Sequence, residues 1–366
     1  MSERVVVAMS GGVDSSVAAA ILREQGYDVV GIAMRLTPDA APSGAGRRGT
    51  CCSHEDFEDA RRVAERLNFP FYVVDLREEF GSRVIGNFVS EYLNGRTPNP
   101  CVMCNREIKF DRLWERARAL GAERNATGPN ARIEGQGKGP IRLMRASDVN
   151  KDQSYFLFSL TQRELGRTLF PLGRITKAEV RERARALGLA NADKPESQEI
   201  CFVPDNDYAS LVESRAADQI RPGRIIDQAG RQIGTHQGIH RFTIGQRRGL
   251  GVADGEPLYV REIRALTGEV VVGRRNEMLA HGLIAHRVSL VSSNGEAAAS
   301  NEEDAVEVKI RYRHRGIPAA LRMIAADRAE VRFVEGGPAV TPGQACVFYR
   351  GDEVVGGGFI ERALEG

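Results

Sequence analysis

Three of the six cysteines occupy positions that suit thiol chemistry. Cys101 and Cys104 form a Cys-x-x-Cys pair that follows a proline-rich turn and opens a predicted helix. A helix N-terminus stabilises a thiolate, the reactive form of cysteine. Cys201 lies far along the chain, so only folding can bring it to this pair. The trio fits a nucleophile with a sulfur carrier, an iron–sulfur site, zinc, or three ordinary buried cysteines.

The other cysteines carry less information. Cys51 and Cys52 are adjacent, and adjacent residues rarely serve one site, so we expect packing or loop positions. Cys346 falls in a β-type run and is expected in a core. The N-terminal residues lack the zones of a secretory signal, which predicts a cytoplasmic protein. In that compartment, six cysteines favour metal or thiol chemistry over a disulfide scaffold.

A glycine-rich loop near the start of the chain is the second candidate site. Ser10-Gly11-Gly12-Val13-Asp14-Ser15-Ser16 directly follows an apolar run and precedes a predicted helix. Glycines allow backbone N–H groups to approach phosphate oxygens, and a helix N-terminus favours the anion. Asp14 is placed to hold a phosphate-bound Mg²⁺. A plain turn, with Asp and Ser acting only as caps, is the alternative interpretation.

The elements around these residues alternate between strand and helix. We predict strands at residues 5–9, 29–34 and 71–76, a helix from Val13, and helices capped by Ser53 with Asp56 and by Thr176 with Glu179. This alternation is typical of an α/β fold with a doubly wound parallel sheet. Residues 36–50 are rich in Gly, Pro, Ala and Ser and are predicted to form a long loop.

Beyond about residue 205 the pattern changes to short β-type runs between Gly, Asp and Asn turns. Such runs are typical of small barrels or sandwiches, and few helical patterns occur among them. The runs lie at residues 258–260, 270–272, 306–312, 329–333 and 345–349. We predict three domains: a catalytic domain at 1–204, a small central β-rich domain at 205–280 and a barrel-like domain at 281–366.

Charge and hydropathy narrow the class of protein. A net charge of +2 is too small to indicate a nucleic-acid binder, so any basic surface must be local. Every second residue from 309 to 315 is a cation, namely Lys309, Arg311, Arg313 and Arg315. A strand there would place all four on one face, where they would either contact phosphate groups or face solvent. None of the six histidines has zinc-site spacing with the cysteines. No apolar run approaches the roughly 18 residues of a membrane span.

The Ser-Gly-Gly-x-Asp-Ser loop resembles that of the PP-loop ATP pyrophosphatases, which split ATP between the α and β phosphates. Further stretches resemble the tRNA-specific 2-thiouridylases of the MnmA/TrmU family, nearly end to end. They are Gly95-Arg96-Thr97-Pro98-Asn99-Pro100, Cys104-Asn105, Lys109-Phe110, Lys151-Asp152-Gln153-Ser154-Tyr155, Ile200-Cys201-Phe202, residues 243–251, Arg311-Tyr312-Arg313-His314 and Pro342-Gly343-Gln344.

The resemblance implies roles for individual residues. Cys104 would be the nucleophile and Cys201 the persulfide carrier, and the two would form a disulfide during the reaction. ATP would contact Ala8, Met9, Ser10, Gly11, Gly12, Val13, Asp14, Ser15, Met34 and Gly128. The tRNA would contact Asn99, Pro100, Cys101, Pro129, Lys151, Asp152, Gln153, Arg311, Tyr312 and Gln344.

Two positions depart from the family pattern. Many relatives have Asp where this chain has Cys101, so a thiol replaces a carboxylate. The chain has Pro129-Asn130 where the family usually has His-Tyr, and proline removes a backbone N–H. Cys101, Cys104 and Cys201 could hold a [4Fe–4S] cluster, which we weigh as the alternative to a persulfide relay.

The predicted function is therefore ATP-dependent 2-thiolation of a tRNA wobble uridine. Its cofactors would be ATP and Mg²⁺. Its partners would be tRNA and an upstream persulfide donor, either a cysteine desulfurase or a sulfur relay protein, with no DNA or membrane. A PP-loop amide ligase acting on a small molecule, or a non-catalytic RNA-binding protein with zinc or a cluster, would be the alternative.

Overall fold

The computed structural model describes residues 2–37, 53–135, 139–195, 200–252, 255–291 and 302–364. Most of the predicted loop at 36–50, together with Cys51 and Cys52, lies outside these ranges. Within them, no helix combines the length and apolarity that crossing a membrane requires.

The first part of the chain forms a five-stranded parallel sheet in the order β3-β2-β1-β4-β7. Val5, Val6 and Val7 of its central strand are each 0% exposed, because helices cover both faces. This confirms the predicted α/β class. The strands are β1 (Arg4–Ala8), β2 (Asp28–Arg35), β3 (Phe71–Asp75), β4 (Arg124–Ala126) and β7 (Thr168–Leu169).

Three helices around this sheet begin where the sequence indicates, at Val13 and directly after Ser53 and Thr176. Both predicted capping boxes are present, at Ser53 and at Thr176. Two π-helical segments, Gly81–Ile85 and Asn105–Arg112, interrupt the longer helical stretches. The α-helices are α1 (Val13–Glu24), α2 (His54–Arg66), α3 (Arg77–Phe80), α4 (Gly86–Leu93), α5 (Pro100–Cys104), α6 (Leu113–Ala119), α7 (Gln162–Gly166) and α8 (Lys177–Ala186).

The middle of the chain forms a four-stranded sheet preceded by a helix that the sequence pattern did not predict. Asp207 caps that helix by accepting a hydrogen bond from the Ser210 backbone N–H at 3.0 Å. The sheet order is β10-β11-β8-β9. These elements are α9 (Tyr208–Ala216), β8 (Gly223–Ile226), β9 (Gln232–His236), β10 (Tyr259–Arg264) and β11 (Glu269–Gly273).

The last part forms a closed six-stranded barrel, as predicted. The strand order is β12-β15-β14-β13-β16-β17, and pairing between β12 and β17 closes it. Leu283, Val331 and Phe348 fill its core at 0% exposure. The strands are β12 (Ala280–Leu290), β13 (Asp304–Lys309), β14 (Ile317–Ala325), β15 (Arg328–Gly337), β16 (Ala345–Arg350) and β17 (Glu353–Leu364).

A hairpin from the first part of the chain joins this barrel. It consists of β5 (Ala131–Glu134) and β6 (Arg142–Arg145), and β6 pairs antiparallel with β17 of the barrel. Leu143 lies opposite Val354, and both are 0% exposed. The N-terminal α/β part and the barrel therefore share a sheet and a core.

The prediction that the cations at residues 309–315 lie on one strand is wrong. Strand β13 ends at Lys309, and residues 310–316 bend to start the antiparallel strand β14. Lys309 is half-buried, with its ammonium 5.8 Å from the ring centre of Tyr349. Cations that alternate with other residues can occur in a strand or in a turn between antiparallel strands, so this pattern does not distinguish the two. The arginines at 311, 313 and 315 are nevertheless exposed.

Candidate active site

The glycine-rich loop connects β1 to α1, as the sequence predicts. Gly12 is the N-cap of α1 in an extended conformation. Gly11 has a φ of +72°, and a Cβ there would lie 2.3 Å from the carbonyl oxygen of Asp56. Only glycine fits this position, since it lacks that atom and tolerates positive φ. The Ser15 hydroxyl accepts a hydrogen bond from the Ser10 backbone N–H at 3.2 Å, which holds the loop closed.

Two side chains that the sequence did not single out support this loop. Asn191 is 2% exposed, and its Nδ2 donates to the Gly11 carbonyl and to the Ser16 hydroxyl, both at 2.9 Å. The Lys177 ammonium lies 2.6 Å from Asp14 Oδ1. Lys177 is the first residue of α8, directly after the predicted cap at Thr176. The helix was therefore predictable from the sequence, but the ion pair between Lys177 and Asp14 was not.

Cys101 and Cys104 lie on α5, which the preceding turn starts. Pro100 is the first residue of α5, and the Asn99 side chain caps it by accepting from the Val102 backbone N–H at 3.3 Å. Cys101 is exposed, whereas Cys104 is 8% exposed. The two thiols of the Cys-x-x-Cys pair thus have different access to solvent.

Cys201 is held in place by its neighbour in sequence. The Phe202 ring packs edge-on against Phe80 and Phe88, with ring centres 5.5 Å and 5.2 Å apart. These contacts anchor the chain directly after Cys201 in the apolar core beneath the sheet edge. Cys201 itself is half-buried.

One cavity of about 300 Å³ brings the glycine-rich loop and all three cysteines together. Within it, the Thr127 hydroxyl is buried and has no hydrogen-bond partner among the described residues. The lining residues are Ala8, Met9, Ser10, Asp14, Ser15, Met34, Leu36, Phe57, Phe80, Pro100, Cys101, Cys104, Lys109, Thr127, Gly128, Pro129, Gln153, Ile200, Cys201 and Phe202.

Several predicted site residues lie elsewhere. Val13 is buried in the core at the start of α1. Asp152 is 6% exposed, and its carboxylate accepts hydrogen bonds from Ala146 and Ser154. Its contacts are internal, while the adjacent Lys151 is partly exposed on a turn. Asp152 therefore shapes the segment that carries Lys151.

The remaining predicted tRNA contacts belong to the barrel side of the molecule. Tyr312 packs against Phe156 with ring centres 4.5 Å apart. Arg311 Nη2 donates to the Thr341 hydroxyl at 3.2 Å. Gln344 reaches the turn before α5. None of the three is among the described residues that line the cavity.

Cys346 differs from the three cavity cysteines. It is 0% exposed within β16, and burial raises the pKa of its thiol to about 12. A thiol in that environment stays protonated and inert. The expectation that Cys346 is a core residue is confirmed.

The fold and the cavity define a class: an α/β protein with a parallel sheet whose glycine-rich loop and three cysteines line one cavity. Family models match the chain in three parts. They are described as a tRNA methyl transferase HUP domain at residues 3–205, a tRNA methyl transferase PRC-barrel domain at 211–274 and an aminomethyltransferase beta-barrel domain at 280–360.

Curated relatives match over nearly the whole chain. The tRNA-specific 2-thiouridylase MnmA of Geotalea uraniireducens is 53% identical, covering 99% of this chain and 96% of its own. That of Geobacter metallireducens is also 53% identical, covering 99% and 98%. That of Carboxydothermus hydrogenoformans is 50% identical, covering 99% and 98%. The chain belongs to the tRNA-specific 2-thiouridylase MnmA family.

Proposed function

We propose that the protein is a tRNA-uridine 2-sulfurtransferase that uses ATP to replace the C2 oxygen of the wobble uridine with sulfur. One observation carries this proposal: the glycine-rich loop and Cys101, Cys104 and Cys201 line the same cavity. A nucleotide and a sulfur-bearing thiol can therefore reach one base. The base must leave its stack to enter such a cavity.

The first step is adenylation. The uridine C2 oxygen attacks the α-phosphate of ATP, and pyrophosphate leaves, so that AMP becomes the leaving group on C2. Ser10 and Ser15 on the loop face the cavity, and the Thr127 hydroxyl is available to the nucleotide. The α1 N-terminus favours the phosphates because its N–H groups point toward them.

The residues present fit a magnesium ion on the phosphates. Asp14 supplies a carboxylate at the cavity wall, the oxygen ligand that Mg²⁺ prefers. A bound Mg²⁺ would neutralise the charge that develops on pyrophosphate. Lys177, at 2.6 Å from Asp14, is a second cation for the same charge, and it keeps the carboxylate oriented.

The second step is sulfur transfer by a persulfide relay. The terminal sulfur of a Cys201 persulfide attacks C2, and AMP leaves. The Cys104 thiolate then attacks Cys201 Sγ. This breaks the bond to the transferred sulfur, leaves 2-thiouridine and forms a Cys104–Cys201 disulfide. A cellular thiol reduces the disulfide, and a cysteine desulfurase or sulfur relay protein reloads Cys201.

A [4Fe–4S] cluster is the competing role for the three cysteines. In the described ranges, no group of three or more His, Cys, Asp or Glu residues is arranged to hold a metal ion. The exposed Cys101 and the nearly buried Cys104 also differ in access. These observations favour the relay, and we assign Cys101 an auxiliary position at the cavity.

Cys101→Ser separates these two roles. In the relay the variant keeps thiolation within about tenfold of the wild type, because no step uses that thiol. The assay is 2-thiouridine formation with a persulfide donor, beside iron and acid-labile sulfide analysis of anaerobically purified protein. An inactive variant together with stoichiometric cluster iron would establish the cluster instead.

The function itself is tested by its products. Purified protein with tRNA and a persulfide donor should release AMP and pyrophosphate, and nucleoside mass spectrometry should detect 2-thiouridine. Nucleosides from a deletion strain should lack it. Release of ADP and orthophosphate, or unchanged nucleosides in the deletion strain, would exclude the proposal.

A further inference from the structure

The turn that starts the cysteine helix is held from outside its own domain. We define the cysteine turn as residues 95–100 and the docking segment of the barrel as residues 342–345. The Thr97 backbone N–H donates to the Pro342 carbonyl at 2.9 Å. Gln344 Nε2 donates to the carbonyls of Thr97 and Pro98 at 3.1 Å and 3.2 Å. One barrel side chain thus fixes two successive peptide groups of the turn.

The contact between the two segments is close. Gly343 has a φ of +88°, and a Cβ there would lie 2.9 Å from the Thr97 carbonyl oxygen and 3.0 Å from its nitrogen. The docking segment is itself fixed to the barrel, since the Gly343 N–H donates to Ile360 of β17 and the Ile360 N–H donates to Gln344, both at 2.8 Å. The barrel therefore presents a rigid edge to the turn.

A buried tyrosine completes the same junction. Tyr155 is 0% exposed, and its hydroxyl donates to the Ala345 carbonyl at 2.8 Å. Its neighbour Phe156 accepts a hydrogen bond from Asn105, the residue after Cys104, at 2.9 Å. The barrel edge, the Tyr155 segment and the cysteine helix are therefore connected by direct contacts.

The geometry of the turn decides where the thiols lie. Asn99 belongs to the turn and caps α5, so a shift of the turn moves that cap and the helix behind it. Cys101 and Cys104 move with the helix. A displacement of about 1 Å in a reacting group is enough to slow a reaction by about 10²-fold.

We propose that Gln344 is a positioning residue: through the carbonyls of Thr97 and Pro98 it sets the cysteine turn in its reactive geometry. This rests on the proposed function. Arg311, a predicted tRNA contact, donates to the Thr341 hydroxyl beside the docking segment.

Gln344→Ala tests this against a role in tRNA contact alone. The measurement is the single-turnover rate of 2-thiouridine formation at saturating tRNA, beside the Kd for tRNA and the Kd for ATP. We expect the rate to fall about 10- to 100-fold. The Kd for ATP should stay within about twofold, since Gln344 is not among the described residues that line the cavity with the nucleotide loop.

Gln344→Ala removes a side chain that could itself contact tRNA. Two glycine variants test the same proposal without removing a side chain. Gly343→Ala adds a methyl group against Thr97 and deletes no group that could touch tRNA, so it should lower the same rate. Gly351→Ala is the matched control in the same barrel: its φ is +59°, and a Cβ there meets nothing within 4 Å. It carries the same kind of backbone strain without a contact to the turn and should keep the wild-type rate.

The outcomes decide between the two roles. A saturated rate that is unchanged in Gln344→Ala overturns the proposal whatever happens to the Kd for tRNA. An equal loss in Gly343→Ala and Gly351→Ala also overturns it, because strain in the barrel would then explain the effect. If the wild-type protein forms no 2-thiouridine, the proposed function has failed, which is a different result from an active wild type with active variants.

Discussion

The nucleotide loop and the cysteine turn line one cavity but are built in opposite ways. The loop at residues 10–16 is supported by residues of the same domain, such as Asn191 and Lys177. The turn at residues 95–100 is supported by the barrel through Gln344 and by the middle domain, where Ile263 would lie 2.7 Å from a Cβ on Gly95. One half of the site is local to its domain, and the other is assembled from three parts.

This difference separates two activities. Binding and activation of ATP depend on contacts that persist while the first domain is folded. If Gln344 positions the cysteine turn as proposed, placement of Cys101 and Cys104 depends on all three parts being packed together. Lesions in the barrel should therefore damage sulfur transfer before they damage nucleotide binding.

The largest expected effect comes from the cavity thiols. Cys104→Ser and Cys201→Ser should each reduce thiolation by at least about 10³-fold, because in the proposed relay each thiol forms and breaks bonds to sulfur. Release of pyrophosphate in one turnover should persist, since the loop is untouched. Cys346→Ala is the control, because that cysteine is buried in the barrel away from the cavity. Loss of pyrophosphate release in Cys201→Ser would show that ATP cleavage also depends on this thiol, which would contradict the independence of the nucleotide loop from the thiols.

A smaller effect is expected from the support of the nucleotide loop. Asn191→Ala leaves the Gly11 carbonyl and the Ser16 hydroxyl without this buried donor, which costs about 1–3 kcal/mol. We expect the KM for ATP to rise about tenfold and the KM for tRNA to change little. Asn94→Ala is the matched control, since Asn94 is exposed and its Nδ2 donates to Ser90. If the KM for ATP stayed at the wild-type value, Asn191 would not support the loop.

A third prediction concerns the electrostatic part of the affinity for tRNA. Lys151→Ala should reduce the slope of log affinity for tRNA against log salt concentration by about 0.7 to 0.9, the effect of one lost phosphate contact. Lys151→Arg keeps the charge and should keep the slope. The rate at saturating tRNA should change less than in Gln344→Ala. An unaltered slope in Lys151→Ala would show that this residue does not contact a tRNA phosphate.

The smallest effect is a pH dependence of the middle domain. Burial lowers the pKa of His236, which packs on Phe242 with ring centres 5.1 Å apart. Its folded-state pKa lies below the unfolded value of about 6.5, so the unfolded chain binds more protons and stability falls as pH drops below about 6.5. Phe242 precedes Thr243, whose hydroxyl lies 3.4 Å from that of Thr97.

The measurement is the thermal unfolding midpoint at pH 7.5 and 5.5. In His236→Gln, which stays neutral, the decrease on acidification should be smaller than in the wild type. ATP affinity should be less sensitive to this acidification than the thiolation rate. An identical decrease in the two proteins would show that His236 does not contribute to it.

Some features could be predicted from the sequence because they depend on near neighbours. The loop at residues 10–16 was recognisable because strand, glycines and helix are contiguous. The caps at Ser53 and Thr176 were recognisable because their partners lie three residues away. The core position of Cys346 was predictable from its β-type run. The sequence pattern did not predict the bend after Lys309, because cations can alternate with other residues both in a strand and in a turn between strands.

The sequence by itself determined the α/β class, the β-rich second half, the glycine-rich loop and the Cys-x-x-Cys pair, because each depends on spacing within a few residues. Only the tertiary structure placed Cys201 at the cavity with Cys104, Lys177 beside Asp14, and Gln344 on the cysteine turn. Those pairs are separated by many residues. Their contacts arise from the packing of whole domains, which no local pattern encodes.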